Sequence, residues 1–250
     1  MAEILRTRNL TKRYKHKTAL DGLSISLEEG RVYGLIGCDG AGKTTLLRIL
    51  AGLSEPTEGS VSLFGGETPG ELCRARKRVG FLIDRPAAVE YFTIRKNLEL
   101  QARLLGGVDG AKQKELRRRL ELTERKVGRR RYDDCALWER QRYGIAAALL
   151  GEPELLVLDE PMNGLDPEGV RAARALLEER NRREGVTMLI ASAQPEELRG
   201  LATDYLFLGE GRLLAKLTGE ELEARLETEG PEAVEGLFSP EGAGKGGEKT

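Results

Sequence analysis

One histidine, one tryptophan and three cysteines are all that 250 residues contain of those types, and aromatics make up 5%. Cys38, Cys73 and Cys135 have no paired or metal-ligand spacing. That pattern excludes a disulfide framework, and the odd number fits a reducing compartment. No apolar run approaches the ~18 residues of a membrane span, and no basic-then-apolar segment opens the chain. The expectation is therefore a cytosolic chain that meets a membrane only through a partner. Charge of one sign is missing too. A net charge of −1 and a sequence pI of about 6.1 remove any overall basic bias toward nucleic acid. The local clusters Arg117-Arg118-Arg119 and Arg129-Arg130-Arg131 read as a solvated helix face or loop. Asparagine and glutamine are sparse while arginine is abundant, which suits either a thermophile or a GC-rich genome.

What is present starts with Arg31 to Leu50, RVYGLIGCDGAGKTTLLRIL. Val32 to Ile36 is a short apolar run with β-branched residues and reads as a buried strand. Gly37-Cys38-Asp39-Gly40-Ala41-Gly42-Lys43-Thr44 then fits G-x-x-x-x-G-K-[ST], and Thr45 to Leu50 continues with helical spacing. Strand, glycine loop and helix in that order form a phosphate-binding P-loop. Gly37, Gly40, Ala41 and Gly42 let successive backbone N–H groups converge on a phosphate, beside a helix N-terminus whose dipole favours anions. Lys43 is placed to reach the β/γ-phosphate oxygens, the Thr44 hydroxyl to ligate Mg²⁺, and Thr45 to continue the cradle.

The rest of the chain surrounds this loop. Ile4 to Tyr14 and Ala19 to Leu27 read as antiparallel strands about the turn Lys15-His16-Lys17. Gly59 to Phe64 and Val79 to Ile83 are strand candidates, with a short helix over Glu67 to Lys77 between them. Pro86 to Leu150 is helical, with segments Ile94–Leu105, Ala111–Glu124 and Leu137–Leu150. Leu155 to Leu158 is an unbroken aliphatic run, as in a buried parallel strand. Asp166 to Arg183 is a helix with Pro167 in its first turn, and Val186 to Ala191 a further strand. Strands alternating with helices indicate an α/β fold on a parallel sheet, with the nucleotide at the carboxyl ends of its strands. The tail from Ser239, rich in Gly, Lys and Glu, reads as disordered.

Leu155-Leu156-Val157-Leu158-Asp159-Glu160-Pro161 puts two acids where a hydrophobic strand ends. Asp159 suits the Mg²⁺ shell, and Glu160 suits polarising an attacking water. With the following Asn163-Gly164-Leu165-Asp166-Pro167, the chain resembles the ATP-binding subunits of ABC transporters over about residues 3 to 225. NLTKRYKHKTALDGLSISLEEG resembles that family's opening hairpin. The resemblance puts Tyr14 at the position that stacks on adenine; otherwise it is an ordinary strand aromatic. VGFLIDRPAAVEYFTIRKNLEL resembles the subgroup serving bacitracin- and lantibiotic-type exporters. There the Q-loop glutamine is replaced by an acid, so Asp84 matches a position that joins the Mg²⁺ and water region. The competing reading is a strand-end aspartate that caps the next turn.

Two family elements are absent. Cys135-Ala136-Leu137-Trp138-Glu139-Arg140-Gln141-Arg142 aligns with the signature region, where a serine and a glycine grip the γ-phosphate held by the opposite subunit. Ala136 and Trp138 stand in their places. Alanine cannot donate, and losing a hydrogen bond to a charged group costs ~1.5–3 kcal/mol; an indole is expected to obstruct the close backbone approach that glycine permits. Asp133 and Asp134 add negative charge, Asp134 doubling as a candidate N-cap that starts the helix early. The strand ending Ala191-Ser192-Ala193 resembles one that ends in Ser-Ser-His, so Ala193 replaces the switch histidine. Asp39 adds a further carboxylate beside the phosphates.

The resemblance implies an ABC ATP-binding domain over residues 1–225, with a helical subdomain over about 86–150, a helical extension over 226–238 and the tail 239–250. It implies ATP and Mg²⁺ as ligands, a membrane-spanning permease as partner, and a second ATP-binding subunit. Because a homodimer would put Ala136 and Trp138 over both nucleotides, a heterodimer is the favoured pairing. The intact P-loop and Glu160 point to an exporter ATPase with impaired hydrolysis. The lost signature and histidine point to the alternative, a non-catalytic nucleotide-sensing module.

Overall fold

The computed structural model describes residues 2–123 and 130–230, together with Val234, Gly236 and Leu237. The opening arm is β1 (Glu3–Tyr14), and the expected second strand is two, β2 (Lys17–Leu23) and β3 (Ser26–Glu28). Thr7 is the cause of the split. Its hydroxyl donates to the Leu23 carbonyl at 2.9 Å and accepts the Ile25 N–H at 3.0 Å, so a side chain interrupts the backbone ladder. After β4 (Val32–Ile36) and α1 (Lys43–Ala51) comes β5 (Glu58–Leu63), which pairs antiparallel with β1 and completes a four-stranded sheet. Helix α2 (Pro69–Arg76) is shorter than its sequence pattern, because Thr68 and Glu71 form a capping box that fixes its start.

The larger sheet holds the chemistry. Its remaining strands are β6 (Val79–Leu82), β7 (Leu155–Asp159), β8 (Thr187–Ser192), β9 (Asp204–Gly209) and β10 (Arg212–Thr218). They run in the order β10-β9-β4-β8-β7-β6, all parallel except the β9–β10 hairpin. Every residue of β4 and β8 is buried. Alternate side chains point to opposite faces, and the core divides accordingly. Leu155, Val157, Leu189 and Leu35 pack toward α1 and the antiparallel sheet, while Leu156, Leu158, Ile190 and Ile36 pack toward the helical block.

That block contains α3 (Ile94–Leu104), α4 (Gly110–Arg119) and α5 (Leu137–Leu149). Two buried tyrosines tie it to the segment after β6: Tyr143 donates to the Ala87 carbonyl at 2.9 Å and Tyr132 to that of Pro86 at 3.3 Å. α4 ends at Arg119; Glu124 and Arg129 lie outside the described residues. The other members of the two arginine clusters face acids or backbone. Arg118 pairs with Glu115, Arg119 with Glu179, Arg130 with Glu139 and Arg131 with Asp133, and Arg117 reaches the Gln113 carbonyl.

Helix α6 (Pro167–Glu184) follows β7, with Asp166 accepting the Gly169 N–H as N-cap. The hairpin β9–β10 and α7 (Gly219–Glu229) follow, elements that no sequence pattern announces. α7 runs across the expected boundary at 225/226, and the tail 239–250 lies outside the described residues. Asp134 sits in a short 3-10 turn and does not cap α5. The N-cap is Ala136, because the Glu139 carboxylate reaches back to the Ala136 N–H at 2.8 Å.

Candidate functional site

The loop between β4 and α1 accepts only glycine at two of its corners. A Cβ on Gly37 would meet the Leu208 carbonyl oxygen at 2.4 Å, and one on Gly42, at φ 108°, would meet that of Ala19 at 2.4 Å. Gly40 and Gly42 both have positive φ, which curls the backbone round the Lys43 side chain. Lys43 is 5% exposed, and its Nζ donates to the carbonyls of Gly37 at 2.5 Å and Cys38 at 3.3 Å. This cradle opens into a cleft of about 250 Å³ lined by Tyr14, Lys17, Thr44, Thr45 and Glu160 among others.

The two acids of β7 meet it. The Thr44 hydroxyl donates to Asp159 Oδ2 at 2.7 Å. Burial is the main cause that pushes the Asp159 carboxyl above the usual range; Glu160 and Asp84 add to it, while Thr44 and Lys43 oppose it. Glu160 lies with Oε1 4.0 Å from Lys43 Nζ, at the edge of ion-pair range, and Oε2 accepts from Asn163 at 3.2 Å. Its backbone is in the left-handed region, φ 45°, held by its N–H to the Ala191 carbonyl at 3.0 Å and by Gln141 donating to its own carbonyl at 3.0 Å. Strain of this kind persists where neighbours over-determine it.

These residues fit a phosphate-bound Mg²⁺. Among the described residues no three His, Cys, Asp or Glu converge on a metal. Mg²⁺ is held through one or two protein oxygens plus phosphates, and Thr44 with Asp159 supplies that donor set. Tyr14 is 45% exposed on the cleft wall, with the Lys12 ammonium 5.2 Å from its ring. Asp84 is not capping a turn. It accepts both Nε and Nη2 of Arg48 at 2.8 Å each, from a left-handed backbone at φ 57°. Sequence reasoning missed Arg48, Gln141 and Lys17, whose Nζ lies 3.5 Å from the Gly40 carbonyl. Gln141 lies in the stretch that aligns with the signature region, but nothing there points to its bond with Glu160, and neither Arg48 nor Lys17 belongs to a spacing pattern that would expose it.

At the start of α5, Ala136 and Leu137 are exposed, and Trp138 is only half-buried. The Arg142 guanidinium lies 4.8 Å from the centre of its indole ring. Arg142 is 1% exposed and bridges Glu121 at 2.5 Å and Asp166 at 2.7 Å. Glu139 is fully buried, pairing with Arg130 and with the Ala136 N–H. Ala193 is exposed just beyond β8, and His16 is exposed in the β1–β2 turn.

The family model described as ABC transporter matches residues 20–163 of this chain. The chain belongs to the ABC transporter family, as an ATP-binding domain. The bacitracin transport ATP-binding protein BcrA of Enterococcus faecalis is 36% identical over 226 residues, covering 90% of this chain and 72% of that protein. The lantibiotic transport ATP-binding protein SrtF of Streptococcus pyogenes is 33% identical over 236 residues, 94% of this chain and 96% of that one. A dimeric ABC cassette in a post-hydrolysis state, bound to ADP and Pi, superposes with a TM-score of 0.79 at 25% identity, over 86% of this chain and 98% of the other. Among the described residues of this ABC domain, no helix is long and apolar enough to cross a membrane.

Proposed function

We propose that this chain is the MgATP-binding subunit of an exporter of the peptide-antibiotic or multidrug type, driving or gating a separate membrane subunit from the cytoplasmic side. Its relatives named for bacitracin and lantibiotic transport support the substrate class. The observation that carries the reading is Thr44 bonded to Asp159 at 2.7 Å beside a buried Lys43. Lys43 and the loop N–H groups bind the phosphates, Thr44 and Asp159 hold Mg²⁺, and Glu160 orients water. Tyr14 lies under the base. The bound ion supplies charge neutralisation on the phosphate oxygens.

Turnover by the isolated chain is slow in this proposal, since Ala136 and Ala193 remove two donors from the γ-phosphate. Those losses also favour a second reading, a nucleotide-sensing module without catalysis; the retained Glu160 beside Lys43 favours the first. An asymmetric heterodimer follows, in which a partner's intact signature completes the site on Lys43 and Glu160. Calorimetry with MgATP on wild type and Lys43→Ala tests the binding site: the variant loses binding by about ten- to a hundredfold, the worth of one or two charged hydrogen bonds. A wild-type chain that binds no MgATP ends the proposal. Sedimentation tests the pairing, because a tight ATP-dependent homodimer of the wild-type chain contradicts the heterodimer.

A further inference from the structure

The large sheet has a second hollow, at the end away from the phosphate loop. Arg31 and Thr203 mark that end: each directly precedes a strand, β4 or β9, and the Val32 N–H donates to the Thr203 hydroxyl at 3.1 Å. Between them and α7 lies a cavity of about 740 Å³, walled by Tyr205, Ala202 and Ala224 and rimmed by three glutamates of α7. Tyr205 is 1% exposed, yet its hydroxyl has no hydrogen-bond partner among the described residues, where nearly all buried polar groups find one. Nor is that oxygen sealed in protein; it opens into the cavity that Tyr205 lines. Burial, with Glu223 adding to it, pushes the phenol up to about 12, so the group stays a neutral hydroxyl that both donates and accepts. The charges around it are unbalanced. Arg31 is held by Asp204 at 2.9 Å and Glu28 at 3.2 Å, and Arg199 grips Glu223. Glu220 and Glu227 are exposed and have no ion-pair partner among the described residues. They stand two turns apart on one face of α7, about 10 Å along its axis.

We propose that this cavity is a binding site for a linear polyamine, an aliphatic chain carrying two or more ammonium groups. The ammonium groups pair with Glu220 and Glu227, the methylene stem lies on Ala202 and Ala224, and one N–H reaches the Tyr205 hydroxyl. A mostly apolar hollow with a few converging polar groups is the usual form of a small-ligand site. Charges spaced along a chain suit acids spaced along a helix, and a monoamine leaves one of the two acids unpaired. A bare metal ion does not suit them, since among the described residues no three His, Cys, Asp or Glu converge on one. The site is separate from the phosphate cleft and does not depend on it.

The test is calorimetry of spermidine binding to the full, nucleotide-free chain at physiological salt with Mg²⁺ in excess. Wild type is expected to bind saturably, one spermidine per chain, and propylamine about tenfold or more weakly. Tyr205→Phe lowers spermidine affinity about tenfold, the scale of one hydrogen bond to a charged group. Glu220→Gln and Glu227→Gln each lower it about two- to fivefold, the scale of an exposed ion pair. Saturating spermidine raises the wild-type unfolding midpoint by linkage. Without spermidine the Tyr205→Phe midpoint stays at the wild-type value, because the hydroxyl it removes is unpaired; this separates lost binding from a lost fold. No saturable binding in excess Mg²⁺, full affinity in Tyr205→Phe or in both glutamate variants, or a Tyr205→Phe chain that is unstable without spermidine overturns the inference. MgATP binding at Lys43 is untouched by any of these failures.

Discussion

The guanidinium of Arg142 lies 4.8 Å from the ring of Trp138, one helical turn away on α5. Trp138 is therefore a packing partner, covering an arginine that joins the end of α4 to the N-cap of α6. Among the described residues Arg142 Nε has no hydrogen-bond partner, and the indole ring is what the guanidinium has there instead.

Because Trp138 is the only tryptophan in the sequence, emission excited selectively at tryptophan comes from this one side chain. Arg142→Met is expected to shift the emission and to destabilise the fold by about 1–3 kcal/mol, the usual range for breaking a buried polar network. Urea unfolding followed by tryptophan emission measures both. An unchanged spectrum with unchanged stability would mean that the pair does not hold α5.

Ala193→His should raise ATP hydrolysis by the isolated chain on the order of tenfold or more, since one preorganised donor to a transition state is commonly worth ~10²–10³. The gain should vanish when combined with Glu160→Gln. Phosphate release by the four proteins gives the answer directly, and equal rates with and without His at position 193 would show that β8 does not deliver that residue to the site.

Acid stability has a local source at the entry to the large sheet. Arg78 grips Glu154 at 2.6 and 2.5 Å and holds its carboxyl below the usual range. A lowered folded-state pKa means that the stabilisation is present above the unfolded value near 4.5 and is lost as pH falls through the folded one. The pair is about half exposed, so its contribution is under about 1 kcal/mol. Glu154→Gln should flatten the stability profile below pH 4.5 while slightly lowering stability at neutral pH. Unfolding midpoints measured between pH 3 and 7 would decide it.

Much of the large sheet was legible because its signals are local. Val32–Ile36 and Leu155–Leu158 are apolar runs ending in polar chemistry, and a buried parallel strand needs little else. What was hidden depends on groups far apart in sequence. Thr7 splits the second strand from 16 residues away, and Arg48 reaches Asp84 across 36 residues. No periodicity encodes either. Asp134 has the sequence position of a cap, just before an apolar pattern, but Glu139 bonds the Ala136 N–H from inside the helix and sets the start there. β10 alternates between exposed and half-buried residues with no fully buried side, so its pattern is weak.

The central claim is an intact phosphate cradle joined to a lost signature and a lost histidine. The most direct measurement is the identity and amount of nucleotide held by the purified chain after incubation with MgATP. About one nucleotide per chain, nearly all of it still ATP, is the expected result. No bound nucleotide, or rapid conversion of ATP to ADP and phosphate over many turnovers, would contradict it.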